Sequence, residues 1–473
     1  MRITIGSDNF RASDVARACG GYLVGTDRPV LCACTDSREA KKGDLFIALR
    51  GERTDGHVYI LKAIEQGCQV VLCEAFPALP EGVEATAVVV PDTARALCAL
   101  AEDYLNGKTL VRVAVTGSVG KTTTKEFLRA VLSQRFNTYK TEANYNSTIG
   151  MSVSSLGVSD AHTAAVLEMG MSARGEIEAL SRIARPDVAV ITNIGSSHLE
   201  YLKTRENIAL AKLEITAGLR EGGLLILNGD EPLLSGVASE HFRVRRVCVA
   251  GEGDYTVTEI EQKHESWTTS FCLRTPTGEV LRDLCIPAIG QHMVHDAAYA
   301  VAAGLELGLD EQNIRAGLAD YLGLRQHLVQ LGDITVLEDC YNAAPESMCE
   351  ALHVLVSYAR ARGARAIAVL GDMRELGEAS RQMHETVGAQ VAELGVDTLF
   401  ALGELGVSIA EGALGAGMAD DRVHMFRATD DLAPTAKQIS ELLQQGDIVL
   451  LKASRALAAE RMIDIWKEIR QTN

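Results

Sequence analysis

Residues 111 to 124 leave little freedom in what this chain can fold into. Val111-Arg112-Val113-Ala114-Val115 has the pattern of a buried strand, Thr116-Gly117-Ser118-Val119-Gly120 that of a glycine loop, and Lys121-Thr122-Thr123-Thr124 that of a helix start. A strand running through such a loop into a helix aims backbone N–H groups and the positive end of the helix dipole at one point, which suits a polyphosphate. In that role Thr116, Gly117, Ser118, Val119, Gly120, Lys121, Thr122 and Thr123 form the cradle, Lys121 reaches the terminal phosphates and Thr122 ligates Mg2+. Val115 occupies the place of the first glycine in the full G-x-x-x-x-G-K-[ST] pattern. The strand–loop–helix context therefore carries the reading of a nucleoside triphosphate site.

Around this unit, apolar runs alternate with helical spacing: Ala164-Ala165-Val166-Leu167, Val188-Ala189-Val190-Ile191 and Leu224-Leu225-Ile226-Leu227. Runs apolar on both faces predict a parallel sheet covered by helices. Segment 245–287 alternates polar and apolar residues and predicts an antiparallel hairpin region at the sheet edge, with a helix over Val294–Leu307 closing the unit. Residues 1–105 read as a small α/β domain ending in a helix over Ala94–Leu105, with a linker turn at Asn106-Gly107-Lys108. Residues 323–473 form a third α/β block, with strands near 335–337, 366–370, 399–402 and 448–451. This block is Rossmann-like but has no G-x-G-x-x-G, so no dinucleotide cofactor is expected. The expected fold class is α/β in three domains, 1–105, 106–322 and 323–473, which suits 473 residues at about 150 per domain.

Composition excludes several partners. With 63 acidic against 46 basic residues, a net charge of -17, neither nucleic acid nor an anionic membrane surface is an expected partner. The 11 cysteines show no paired metal spacing and read as reduced, packed thiols. No basic and apolar leader opens the chain, and no apolar run approaches the ~20 residues of a membrane span. The chain is expected in the cytoplasm.

Two further residues belong with the loop by position. Glu168 follows the strand ending at Leu167, and His198 follows the strand ending at Thr192, so both fall at the carboxyl edge of the same sheet, where ligands of parallel sheets bind. Taken alone, each is equally readable as a surface group at a strand end.

Together these residues resemble the Mur ligase family. The glycine loop, Leu167-Glu168-Met169-Gly170 with Gly175-Glu176-Ile177, Thr192-Asn193-Ile194-Gly195 with His198, and Ala211-Lys212-Leu213-Glu214-Ile215 occur in that family's order. The resemblance extends to the amino-terminal Thr35-Asp36-Ser37-Arg38, Gly43–Leu49 and Asp55-Gly56-His57. It continues through Tyr341-Asn342-Ala343-Ala344-Pro345, Leu370–Gly377 and Lys452-Ala453-Ser454-Arg455, and so covers essentially the whole chain. Within the family, the chain resembles the D-alanyl-D-alanine-adding branch.

The resemblance implies an ATP-dependent peptide-bond ligase of peptidoglycan precursor synthesis, with UDP-N-acetylmuramoyl-tripeptide and D-alanyl-D-alanine as substrates and an acyl-phosphate intermediate. It places the UDP-muramoyl group on the first domain, ATP on the second and the incoming dipeptide on the third. It implies two Mg2+ ions, the first held by Thr122 and Glu168, the second by His198 and Lys212. An ammonium cannot ligate a cation, so Lys212 is expected as a carbamate. Lys121, His198, Lys212 and Arg325 become catalytic, Arg325 at the γ-phosphate. Asp339 contacts the ribose and Asp296 stands at the adenine. Ser37, Arg38, Asn144, Asn146, Tyr341 and Asn342 serve the substrates. A monomer with large domain motions is the family precedent. Read from the residues alone, Lys212 is instead a helix-surface lysine pairing with Glu206 or Glu214.

Four positions depart from the family pattern: Asp296 and Ala344 stand where asparagines are usual, Ser147 breaks an asparagine pair, and Ala453 replaces a glycine. An ionised Asp296 can only accept hydrogen bonds, so adenine N7 loses its partner. These departures leave two alternatives open: a Mur-like ligase for another amino acid or depsipeptide, and a catalytically inactive nucleotide-binding paralogue.

Overall fold

A computed structural model describes residues 1–51, 54–323, 327–427 and 431–471. Three sheets organise them. The amino-terminal sheet runs Arg2–Thr4, Cys32–Cys34, Asp44–Ile47, Val70–Cys73, Thr86–Val89, Tyr22–Val24, parallel in its middle and antiparallel at both edges. The central sheet has nine strands in the order Val280–Ile286, Thr268–Arg274, Tyr255–Lys263, Arg243–Cys248, Leu224–Asn228, Val188–Ile191, Val111–Thr116, Ala164–Glu168, Thr138–Lys140. The carboxy-terminal sheet runs His327–Leu331, Ile334–Glu338, Ile448–Lys452, Ala366–Gly371, Thr398–Leu402, Val423–Phe426, with only its first strand antiparallel. The parallel α/β class expected from the apolar runs is the class observed.

Segment 245–287 corrects one expectation. Arg243–Cys248 and Tyr255–Lys263 both continue the parallel order, and only Thr268–Arg274 and Val280–Ile286 are antiparallel. Alternation reports that one face of a strand is buried; it carries no information about direction.

The helix Lys121–Leu132 starts at Gly120, whose φ of 85° a residue with a side chain adopts only under strain. It buries Phe127, Leu128, Val131 and Leu132 in the same apolar cluster as the helix Gln291–Glu306. Close approach depends on Gly304 and Gly317, where a Cβ would come within 2.9 and 2.4 Å of Val131 atoms. Phe127 stacks on Tyr321 with ring centroids 3.7 Å apart. Each such fully buried large apolar side chain contributes about 1.5–3 kcal/mol, which fixes the phosphate loop's helix to its neighbour.

The far end of Gln291–Glu306 is tied to the sheet by Glu306, which accepts from Arg245 at 2.7 Å and Arg243 at 2.6 Å. Burial pushes the Glu306 carboxyl up, but the two guanidiniums outweigh it and hold it below the usual range. A carboxyl depressed in the folded state stabilises above its unfolded pKa, and that contribution is lost as pH falls through its lowered value. Glu306→Gln should therefore cost about 1 kcal/mol in urea unfolding at pH 7, and the difference from wild type should begin to shrink as pH falls below the ordinary glutamate value of about 4.3 and close below the lowered one.

Candidate active site

Three neighbouring parallel strands end side by side. Val111–Thr116 lies between Ala164–Glu168 and Val188–Ile191, so the glycine loop, Glu168 and the segment after Ile191 leave the sheet at one edge. Gly117 passes Thr192 so closely that a Cβ would stand 1.8 Å from its hydroxyl oxygen, and a Cβ on Gly120 would stand 2.4 Å from Asp296 Oδ1. Both glycines are required by space, and Gly120 by its backbone as well. The loop is held from beside: Asn193 Oδ1 accepts from the backbone N–H groups of Ser118 and Val119, at 3.0 and 2.8 Å. Lys121 Nζ donates to the carbonyls of Gly117 and Ser118 at 2.8 and 3.2 Å.

Thr122 and Glu168 meet as their positions imply. The Thr122 hydroxyl donates to Glu168 Oε1 at 3.2 Å, and Asn146 donates to the same oxygen at 2.8 Å. Lys125, one turn beyond Lys121, is buried with its Nζ 3.2 Å from Glu168 Oε2 and compensates that buried carboxylate.

Lys212, in the helix Arg205–Leu213, is only 1% exposed. The reading of it as a surface lysine paired with Glu206 or Glu214 is thereby overturned. Burial, with a smaller contribution from the charge of Lys121, pushes its ammonium well below the usual lysine range.

The phosphate loop opens into two adjoining clefts. The first, about 320 Å³, is lined by Val119, Gly120, Thr123, His292, Asp296 and Tyr299 of the central domain and by Asp339, Glu346 and Glu350 across from them. Asp296 accepts from Thr124 Oγ1 at 3.1 Å. Asp339 is anchored by Lys452, whose Nζ lies 2.6 Å from its Oδ2, leaving Oδ1 without a hydrogen bond among the described residues. The second cleft holds Ser118, Lys121, Thr122, Asn144, Asn146, Glu168 and His198 on the central side and Tyr341, Asn342 and Arg455 on the other. His198 Nδ1 lies 2.5 Å from Glu375 Oε2, and this contact, more than burial, holds the Glu375 carboxyl below the usual range.

Not every expected residue reaches these clefts. Thr116 is fully buried and spends its hydroxyl on Met169 O at 2.8 Å, which braces the strand ends. Gly117 and Lys212 lie behind the surface. Ser37 is buried in the amino-terminal domain, and Arg38 beside it is exposed and paired with Asp36 at 2.6 Å. Arg325 lies outside the described residues. The sequence reading assigned no individual role to Lys125, Asn193, Glu346, Glu375 or Arg455. Lys125 had a signal in its four-residue spacing from Lys121, and Asn193 in its place one residue past Thr192. The other three become visible only when the third domain faces the second.

The four departures fit their surroundings. Ser147 caps the helix Thr148–Ser155, accepting from Gly150 N at 3.1 Å, a role serine fills as well as asparagine. Ala344 begins the helix Pro345–Ala361, where its N–H donates to Ser347 Oγ at 3.1 Å. The Ala453 methyl packs where Gly371 leaves room, since a Cβ there would stand 2.7 Å from it. Asp296 packs on Gly120.

A phosphate loop on a parallel sheet, facing a second α/β domain across a polar cleft, defines the architecture of an ATP-dependent acid–amine ligase, and the chain belongs to the Mur ligase family. The family's models match at residues 33–105 (Mur ligase family, catalytic domain), 115–304 (Mur ligase middle domain) and 324–455 (Mur ligase, glutamate ligase domain). The chain is 39% identical over 433 residues, 91% of each chain, to the UDP-N-acetylmuramoyl-tripeptide--D-alanyl-D-alanine ligase of Bacillus subtilis. It is 33% identical to the enzyme of that name from Escherichia coli, over 96% of this chain and 98% of the other. Its structure is similar to MurF from Acinetobacter baumannii, with a TM-score of 0.85 and 31% identity over 98% of this chain and 100% of that one. It is also similar to MurF ligase from Thermotoga maritima in complex with ADP, at 0.79 and 27% over 93% and 98%. That complex and the family assignment support ATP binding here.

Substituting Gly120 tests the loop directly. Gly120→Ala puts a methyl against Asp296 and strains a positive φ by about 1–2 kcal/mol. Calorimetric titration should show ATP affinity reduced by about tenfold or more, with the melting temperature lowered by a few degrees.

Proposed function

We propose that this chain is a cytoplasmic ATP-dependent ligase that joins D-alanyl-D-alanine to the peptide carboxylate of UDP-N-acetylmuramoyl-tripeptide. The observation that carries the proposal is the second cleft, where a phosphate loop and the Thr122–Glu168 pair face Tyr341, Asn342 and Arg455, in a chain similar over nine-tenths of its length to enzymes named for this reaction. Domain limits of 1–105, 106–322 and 323–473 go with this reading, for UDP-muramoyl, ATP and dipeptide respectively, with Ser37 and Arg38 on the first surface.

The residues fit a metal. Thr122 Oγ1 and Glu168 Oε1, 3.2 Å apart, suit adjacent positions around Mg2+, whose ligands at about 2.1 Å lie about 3 Å from one another. Among the described residues no three His, Cys, Asp or Glu cluster as a cage, so phosphate oxygens and water would complete the shell. Mg2+ bound there neutralises charge on the phosphoryl oxygens. His198 and a carbamylated Lys212 would hold a second ion. Burial, which disfavours the Lys212 ammonium, also favours the neutral amine that adds CO2.

In the reaction the peptide carboxylate takes the γ-phosphoryl group and ADP leaves. The dipeptide amine then attacks the acyl carbon, phosphate leaves and the amine gives up a proton. Lys121 and the loop N–H groups offset the charge developing on the phosphoryl oxygens. Asn144 and Asn146 line the acceptor side. Asn342, Tyr341 and Arg455, whose guanidinium lies 5.7 Å from the Tyr341 ring, face the incoming dipeptide, and the guanidinium fork suits its carboxylate. Asp339 and Asp296 stand at ribose and base, with Arg325 at the γ-phosphate.

Phosphate release with ATP and Mg2+ should require both UDP-N-acetylmuramoyl-tripeptide and D-alanyl-D-alanine and yield the pentapeptide product by mass; release with either substrate alone would count against the reading. Lys121→Ala should lower kcat by at least about 100-fold. Lys212→Ala should lose turnover together with a carbamate resonance that wild type shows in 13C-bicarbonate; full activity in Lys212→Ala would remove the carbamate from the mechanism.

A further inference from the structure

One face of the helix Pro345–Ala361 lies along the central domain, with contacts every four residues. Glu346 Oε1 accepts from the Ser196 N–H and from its hydroxyl, both at 2.8 Å. Glu350 lies 3.2 Å from His292, a Cβ on Gly290 would come within 3.2 Å of Val354, and Tyr358 meets Trp267 edge-on with ring centroids 4.9 Å apart. From 346 to 358 such a helix spans about 18 Å. It reaches from the phosphate-loop end of the nucleotide cleft to the hairpin between Tyr255–Lys263 and Thr268–Arg274.

Two carboxylates of the C-terminal domain reach the segment that carries His198. Glu346 is the first. Its Oε2 is buried without a hydrogen bond among the described residues, so the desolvated group depends on the two Ser196 donors. A Cβ on Gly195 would stand 2.9 Å from the Glu346 carboxyl, so this approach needs glycine there. The second is Glu375, from the loop after Ala366–Gly371, with Oε2 2.5 Å from His198 Nδ1 and its carbonyl accepting from Glu200 N at 3.1 Å. His198 and Glu375 both hold left-handed backbones, at φ 67° and 62°. Such conformations cost free energy and persist where surrounding contacts impose them. On its other side the same segment holds the phosphate loop, through Asn193 to Ser118 and Val119 and through the Thr192 hydroxyl, which donates to Val119 O at 2.5 Å.

We propose that Glu346 and Glu375 are positioning residues, a two-point clamp by which the C-terminal domain, on closing, sets His198 and its loop against the phosphate loop. A carboxylate on one ring nitrogen fixes the orientation of an imidazole. Here that carboxylate arrives from another domain, so the orientation of His198 becomes conditional on closure. Its consequence for turnover rests on the ligase reading; the clamp itself does not.

The two tryptophans make the clamp measurable. Trp466 is fully buried in the C-terminal core, whereas Trp267 packs across the domain contact against Tyr358. Full-length wild type, Glu346→Gln, Glu375→Gln and the double variant are compared with and without Mg2+ and a non-hydrolysable ATP analogue. The readouts are small-angle scattering, tryptophan emission, nucleotide affinity, and kcat and KM. At saturating nucleotide, the double variant is expected to be more extended than wild type and red-shifted in emission. Its kcat should fall by about 10–100-fold, with Glu375→Asp recovering part of the loss. If the double variant does not fold, the single variants carry the same comparison. Scattering and emission equal to wild type would overturn the clamp, and so would unchanged kcat in a variant shown to be open. Scattering and emission are read without turnover, so a chain that closes through these carboxylates but forms no peptide bond would refute the ligase reading alone.

Discussion

Val111–Thr116 hydrogen-bonds in parallel to Ala164–Glu168 on one side and Val188–Ile191 on the other, in register from Val113 against both Val166 and Val188. Parallel pairing makes the three chains leave the sheet at the same edge. The phosphate loop, the Glu168 carboxylate and the Asn193–His198 segment thereby become neighbours without any contact being encoded between them in sequence. A one-residue slip of either neighbour would turn Glu168 or Thr192 to the opposite face. With both faces of these strands apolar and buried, what opposes such a slip is the close fit of the side chains on each face.

On that frame sits a small group of cations, set among the acids that line the clefts. The protein carries a net charge of -17, yet Lys121, Lys125, Lys212, Lys452 and Arg455 gather at or behind the two clefts. Two of these cations compensate buried acids: Lys125 serves Glu168 and Lys452 serves Asp339. Burial of such pairs is tolerated because the charges match and other groups hydrogen-bond to them: Thr122 and Asn146 donate to Glu168 Oε1, and Ala143 O accepts from Lys125. Lys212 is different, being buried beside another cation. That is an unfavourable place for an ammonium and a favourable one for a group that reacts as the neutral amine.

The helix Pro345–Ala361 brings the C-terminal domain to this edge. Its half-buried beginning carries Glu346 and Ser347 into the nucleotide cleft, while its buried face, including Met348, Leu352 and Leu355, packs in its own domain's core. One helix is thus core for one domain and cleft wall for two. The residues that differ from the family pattern lie on this shared surface or beside it, and each is absorbed by a local contact: a cap at Ser147, the Ser347 hydroxyl at Ala344, a missing Cβ opposite Ala453, a glycine opposite Asp296.

Local spacing along the chain was sufficient for the α/β class, for the four central strands Val111–Thr116, Ala164–Glu168, Val188–Ile191 and Leu224–Asn228, for the glycine loop and for placing Glu168 and His198 at one sheet edge. Each follows from a period of two or 3.6 residues or from what a parallel strand does at its carboxyl end. Strand direction in segment 245–287 was not legible, because alternation is blind to direction. Nor was the burial of Lys212, since one lysine on an amphipathic helix looks the same on either face. The inward turn of Thr116 was hidden for a like reason: the loop motif names a residue type, not the carbonyl that its hydroxyl prefers. Glu346 and Glu375 belong wholly to the tertiary structure. Ser196 and Glu346 are 150 positions apart, and only the docking of two separate sheets makes them a hydrogen-bonded pair.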